Sequence, residues 1–276
     1  MNLHYLDEGL GEPLVMVHGN PTWSFYYRNL VQGLSPDFRT IVPDHIGCGL
    51  SDKPAESDYD FRLATRIRDL EILLDYLHLS QPITLVMHDW GGAIGLGYAL
   101  RHPDRISRII LMNTAAFLLP AGKKLPLRLQ ILRRFLFFSR MAFLGGNLFV
   151  RAALFMAPHA RLRRDICKGL SAPYNSWNNR LATFKFVEDI PLVPSDPSYA
   201  LVQWMDHNLH RLSSIPKLIC WGMHDFVFDQ AYLKEWQQRF PDARIRTFPS
   251  AGHYLLEDAP SPVLKEILNF LKNHAA

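Results

Sequence analysis

The stretch Ile83-Thr84-Leu85-Val86-Met87-His88-Asp89-Trp90-Gly91-Gly92 changes character in its middle. Its first half is an apolar run bounded like a buried strand, and the residues that follow, Ala93 to Leu100, read as a helix. Between the two lies a tight turn centred on Asp89. Gly91 and Gly92 supply small residues where a sharp strand-to-helix turn leaves no room for bulk.

Asp89 sets the chemistry this turn can carry. A serine must lose its proton to a base before it can attack, whereas an aspartate with an ordinary pKa near ~3.9 is already an anion at neutral pH. Such a carboxylate suits displacement at a saturated carbon bearing a good leaving group, giving an alkyl ester that water can cleave. Halides, epoxides and strained lactones qualify. Asp is also favoured at helix N-caps, so the nucleophile reading depends on partners elsewhere in the chain.

Those partners emerge from the order of elements. Leu14-Val15-Met16-Val17 reads as a buried strand running into His18-Gly19-Asn20-Pro21-Thr22, a turn whose Gly lets backbone approach a reacting centre. An N–H there can pair with that of Trp90 as an oxyanion hole, and Asn20 adds an amide donor. Thr40-Ile41-Val42-Pro43-Asp44 is a further strand. The glycine-rich loop after it, Gly47-Cys48-Gly49-Leu50-Ser51-Asp52, lacks both nucleotide-binding spacings, which excludes dinucleotide and phosphate binding. Ala64, Ile67, Leu70, Leu74 and Leu77 mark a helix with its core face. Ile109-Ile110-Leu111-Met112-Asn113 is again a strand, so strands and helices alternate and imply a buried, mostly parallel sheet flanked by helices.

After Phe117 this rhythm breaks. Residues 118–197 contain apolar stretches interleaved with Arg and read as a helical cap; 1–117 and 198–276 then form one α/β core domain. The sheet resumes at Lys217-Leu218-Ile219-Cys220-Trp221-Gly222, followed by Asp225, and at Arg244-Ile245-Arg246-Thr247-Phe248, followed by His253. A parallel sheet gathers such strand ends on one edge. His253 can take a proton from water while Asp225 fixes its tautomer and stabilises the imidazolium. Asp229 is the competing acid.

With these residues in order, nearly the whole chain resembles the haloalkane dehalogenases of the α/β-hydrolase superfamily, through residues 18–22 and 88–92. The resemblance implies an α/β-hydrolase fold with the cap inserted after the sixth strand position, Asp89 as nucleophile, His253 as base and Asp225 as acid. It also implies that Asn20 and Trp90 donate side-chain N–H groups to a departing halide. Some members carry an acid where this chain has Asn113, and relatives usually have a strand before Leu3, so a shorter sheet with an exposed edge is expected. Ala172-Pro173-Tyr174 and residues 180–191 look most like the third dehalogenase subfamily, which shades into the β-lactone decarboxylases of bacterial olefin biosynthesis. Hydrolysis of carbon–halogen bonds is therefore the first expectation, β-lactone decarboxylation the alternative. Epoxide hydrolases typically use two cap tyrosines, and residues 118–197 hold only Tyr174. A receptor or scaffold without activity fits poorly with an intact acid–base set.

The chain has 276 residues, 48% of them hydrophobic, enough for one large domain. Cys48, Cys167 and Cys220 fit neither a disulfide framework nor paired metal spacing. No cofactor, metal or nucleic-acid partner is expected; a small apolar substrate and a halide ion are. Met1 leads directly into a strand-like segment without export features, and no run of eighteen apolar residues occurs, so a cytoplasmic protein is expected. Charge is uneven: residues 118–170 hold eleven Lys or Arg against Asp165, a net +10 in a chain of +4. There, Ile131, Leu132, Phe135, Leu136 and Phe138 lie among Arg133, Arg134 and Arg140. That mixture suits a homo-oligomer contact or a membrane surface, and the need to cover a pocket favours the contact.

Overall fold

A computed structural model describes residues 1–123, 127, 130–131 and 135–274. Seven strands form one sheet in the order β1-β3-β2-β4-β5-β6-β7. They are β1 (Tyr5–Glu8), β2 (Pro13–Val17), β3 (Arg39–Pro43), β4 (Ile83–Asp89), β5 (Ile106–Thr114), β6 (Lys217–Gly222) and β7 (Arg244–Phe248). Only β1 is antiparallel, pairing with β3 at the sheet's edge; all other neighbours run parallel. The mostly parallel sheet is the one that the order of elements implied, and the whole is the α/β-hydrolase fold that the resemblance implied.

The central strands are buried along nearly their whole length and carry continuous apolar runs, because both faces are covered. Successive residues then alternate between two cores. Val15, Leu85, Ile109 and Ile219 join one hydrophobic cluster, with Ile67 and Leu70 of α2 (Leu63–Tyr76) and Ile94 of α3 (Trp90–Arg101). Met16, Val86, Ile110 and Cys220 join the other, with Leu30 of α1 (Arg28–Leu34) and Ile267 of the C-terminal helix Pro260–Asn273. One core assignment fails, since Ala64 is exposed; Leu77 is half-buried and packs against the core's edge. The buried stripe of α2 runs instead through Leu63, Arg66, Ile67, Leu70, Leu73 and Leu74, and Arg66 is accommodated by stacking its guanidinium 3.6 Å over the Phe186 ring.

Between β5 and β6 the described residues contain helices and no strand: α4 (Leu136–Gly146), α5 (Leu148–Met156), α6 (Arg164–Ser171), α7 (Leu181–Glu188) and α8 (Tyr199–Asn208). The insertion follows the fifth strand of this chain, where the sixth strand position was expected. Of the basic apolar stretch, Leu132, Arg133 and Arg134 lie outside the described residues. No helix of the described residues is long and apolar enough to cross a membrane.

β4 passes into α3 through Asp89, held at φ 53° and ψ −127°. Three glycines make room for it. A Cβ on Gly91 would stand 1.9 Å from the Val17 carbonyl oxygen, one on Gly92 1.8 Å from the Thr114 hydroxyl, and one on Gly19 2.1 Å from Asp89 Oδ1. The Gly91 contact is with backbone that cannot turn aside. We therefore expect Gly91→Ala to lower stability by about 1–3 kcal/mol, read as a lower urea midpoint. Gly145→Ala in α4 is the control: its Cβ would find only Trp177 at 3.7 Å, so its midpoint should hold or rise.

Candidate active site

Above the carboxyl ends of the parallel strands, Asp89, Asp225 and His253 come together. Asp225 follows β6 in a turn where its Oδ1 accepts the N–H groups of Val227 (2.7 Å) and Phe228 (3.0 Å). Its Oδ2 accepts from Asn113 Nδ2 at 3.0 Å and lies 2.8 Å from His253 Nδ1. That pairing assigns the proton to Nδ1 and leaves Nε2 facing Asp89. Asp229 does something else: it caps the helix Gln230–Arg239 by accepting the Ala231 N–H and pairs with Lys123. Asn113 holds the position where an acid was a possibility and binds Asp225 instead, while its Oδ1 accepts the Gly222 N–H at 2.7 Å.

Asp89 is oriented by backbone. The Asn20 N–H donates to its Oδ1 at 2.6 Å, and the Trp90 N–H also bonds to the carboxylate. The two N–H groups expected to form an oxyanion hole thus serve the aspartate's own carboxylate. Oδ2 is left 3.6 Å from His253 Nε2, beyond hydrogen-bond reach and open to a substrate. Burial raises the Asp89 pKa above the usual carboxylate value, with the nearby Asp225 charge adding to it, although His253 and the two N–H groups oppose the rise. Burial alone would lower the His253 imidazole. The charge and hydrogen bond of Asp225, aided by Asp89, outweigh it and bring the pKa above 6.5.

Two supporting residues escaped the sequence reading. His18 lies 2.7 Å through Nδ1 from the Gly19 carbonyl and accepts the His45 N–H at Nε2, 3.1 Å away. Turning that carbonyl toward His18 turns the Asn20 N–H of the same peptide toward Asp89. Burial lowers the His18 pKa to about 4, which keeps the ring neutral for this role. His88 is likewise buried, and its Nε2 lies 2.8 Å from the His253 carbonyl oxygen, fixing the backbone of the imidazole. Both occur in the quoted motifs, where only their neighbours had an evident chemical use.

The carboxylate opens on a cavity of about 460 Å³. Ala115, Phe117, Phe143, Phe149, Met156 and Ile190 are typical of its wall, which is apolar apart from Asn20, Asp89, Trp90, Tyr232, His253 and Tyr254. No hydrogen bond engages the Trp90 indole N–H or the Tyr254 hydroxyl among the described residues, so both can donate into the cavity. Tyr254 follows His253 directly and is 1% exposed; nothing in its sequence context marked it. Asn20 is less free than expected, because its Nδ2 donates one hydrogen to the cap carbonyl of Thr183 at 3.0 Å and only the second remains. The cap tyrosine, Tyr174, is not in the wall; its hydroxyl donates to the Thr22 carbonyl at 3.1 Å.

Fold and site define the class. The model of the α/β hydrolase fold matches residues 12–260, and the chain belongs to that family. Among its relatives, the cis-3-alkyl-4-alkyloxetan-2-one decarboxylase of Shewanella oneidensis is 50% identical over 270 residues, spanning 98% of this chain and 85% of that protein. The protein of the same name from Xanthomonas campestris is 40% identical over 99% of this chain and 93% of its own length. Haloalkane dehalogenase 2 of Mycobacterium tuberculosis is 28% identical, spanning 96% and 90%. In fold, the crystal structure of haloalkane dehalogenase DbeA from Bradyrhizobium elkani superposes with a TM-score of 0.89 at 23% identity, covering 98% and 94%. These relatives are haloalkane dehalogenases and β-lactone decarboxylases, the overlap to which Asn20, Asn113, Ala172-Pro173-Tyr174 and residues 180–191 pointed.

The pairing of His253 with Asp225 has a direct spectroscopic consequence. Asp225→Asn removes the charge that raises the imidazole, so the NMR-titrated pKa of His253 should fall, whereas Asp229→Asn should leave it unmoved. The reverse pattern would assign the acid to Asp229.

Proposed function

We propose that this chain decarboxylates cis-3,4-dialkyl β-lactones to alkenes, with Asp89 as nucleophile. The observation that carries this reading is the 50% identity, across 98% of the chain, to a cis-3-alkyl-4-alkyloxetan-2-one decarboxylase. It reverses the order of preference drawn from the sequence, in which carbon–halogen hydrolysis came first. The site supports it chemically. Asp89 Oδ2 attacks the ring carbon bonded to the ring oxygen, that carbon–oxygen bond breaks, and the electron pair leaves as a carboxylate. The Trp90 indole N–H, the second Asn20 amide hydrogen and the Tyr254 hydroxyl are donors for that charge. The bond to the carboxylate carbon then breaks, its electrons form the alkene, and Asp89 departs with its pair as carbon dioxide leaves. No proton and no water are consumed. Inversion at the attacked carbon followed by anti departure returns the cis arrangement, so a cis lactone yields a cis alkene.

Dehalogenation remains the second reading, favoured by the unengaged Trp90 indole N–H beside Asp89. Its second half differs, because neutral His253 must activate water to cleave the Asp89 ester. Turnover in heavy-oxygen water separates the two. A dialkyl β-lactone should give cis alkene and carbon dioxide with Asp89 unlabelled, and a bromoalkane, if accepted, should give bromide, alcohol and labelled Asp89. In His253→Phe, halide release should stop after one equivalent with a covalent adduct on Asp89, while lactone turnover persists at reduced rate. Bromide release without any alkene from the lactone sinks the decarboxylase reading.

The two reactions also diverge with pH. Both lose rate as pH falls through the raised Asp89 pKa, since protonation removes the nucleophile. Ester hydrolysis fails earlier, as pH falls through the His253 value above 6.5, because the base is then protonated. Lactone turnover should pass through that range undiminished in a pH–rate profile.

A further inference from the structure

We propose that the outer face of the cap seats this enzyme on an anionic lipid surface, with the mouth of the cavity at that face. The inference stands on surface chemistry and does not depend on which reaction Asp89 performs.

The first observation is where the exposed apolar side chains lie. Phe155 is 83% exposed and Leu148 54%. They stand seven residues apart on α5, hence on one side of the helix, with exposed Arg151 between them. Met141 of α4 is half exposed, as are Phe135 and Ile131 before it. The adjoining side of α5, through Phe149, Ala152, Ala153 and Met156, lines the cavity. Leu148 belongs to both sides: it is in the cavity wall and more than half exposed. The apolar row therefore reaches the rim of the cavity, and a soluble protein rarely leaves such a row in water without a use.

The second observation is charge. Residues 118–170 carry a net +10. Lys123, Arg140 and Arg163 are paired with Asp229, Glu56 and Asp165. Arg151, Arg161, Arg164 and Lys168 are exposed and have no ion-pair partner among the described residues. A second copy of the chain is a poor occupant for this face. The common two-fold contact brings the same patch against itself and would set these cations against their own copies. An anionic bilayer offers the opposite charge together with an apolar layer for Phe155 and Leu148. The combination is that of a surface that lies on a membrane, in keeping with the absence of a spanning helix among the described residues.

Co-sedimentation of the full chain with phosphatidylcholine vesicles, with and without phosphatidylglycerol, tests this at low and high salt. Binding is expected only with phosphatidylglycerol, weakening as salt rises. Arg151→Glu should reduce the partition constant by roughly fivefold for each unit of charge lost, and Phe155→Asp by at least tenfold. Unchanged melting temperatures would confirm that both variants fold, and the salt dependence of the unmodified chain stands without them. Binding neither vesicle overturns the proposal, as does equal binding to both. A chain that ignores vesicles but sediments as a dimer, split by Phe155→Asp, would assign the face to self-association.

Discussion

Everything in the site depends on holding one aspartate in a backbone conformation that side chains avoid. A non-glycine residue at φ 53° is strained by about 1–3 kcal/mol, and persists only because its surroundings leave no alternative. Here the surroundings are three glycines without side chains: Gly91 against the Val17 carbonyl, Gly92 against Thr114, and Gly19 against Asp89 itself. The same close approach brings the Asn20 N–H to 2.6 Å from the carboxylate. Fold and nucleophile geometry are thus one constraint, imposed where β2, β4 and β5 lie side by side.

Two buried carboxylates and one imidazole then divide the work through their hydrogen bonds. Asp225 is surrounded by the N–H groups of Val227, Phe228 and Asn113 and faces His253 away from the cavity. Asp89 has two backbone N–H groups on one side and an apolar cavity on the other. The proximity of His253 to both explains why its pKa rises despite burial. A positively charged imidazole 3.6 Å from Asp89 favours the aspartate as an anion, both before attack and when it is released. A neutral one is needed only if water must cleave an ester. The same three residues can accordingly support two reactions, and the leaving group decides which.

The cap is attached to this machinery rather than laid over it. Asn20 donates to Thr183 and Tyr174 to Thr22, so both cap contacts land on the loop that orients Asp89. On the other side, the Asp258 carboxylate accepts the N–H groups of His159, Ala160 and Gly252, and the Tyr254 N–H donates to the Ala157 carbonyl at 3.1 Å. The cap is therefore tied to the loop before His253 as well. Any shift of α5 or α7 is felt by the backbone that orients the nucleophile and by that which carries the imidazole.

Much of this was legible in the chain because it rests on local rules. Buried parallel strands carry continuous apolar runs, so β6 could be bounded to the residue; a tight turn needs glycine, so the apex at Asp89 stood out. The order of Asp89, Asp225 and His253 along successive strand ends follows from the parallel sheet those runs imply. What the sequence could not carry were choices made between residues far apart. Asp225 and Asp229 are four residues apart and chemically alike; only the turn after β6 aims one at His253 and leaves the other to cap a helix. The buried place of Arg66 depends on the Phe186 ring, 120 residues away in the cap, against which its charge is stacked. Likewise the partial engagement of Asn20, the orienting roles of His18 and His88, and the opening of Tyr254 onto the cavity arise from contacts with groups remote in sequence. Periodicity and motif spacing record which face a residue occupies; which partner it meets there is decided by tertiary packing.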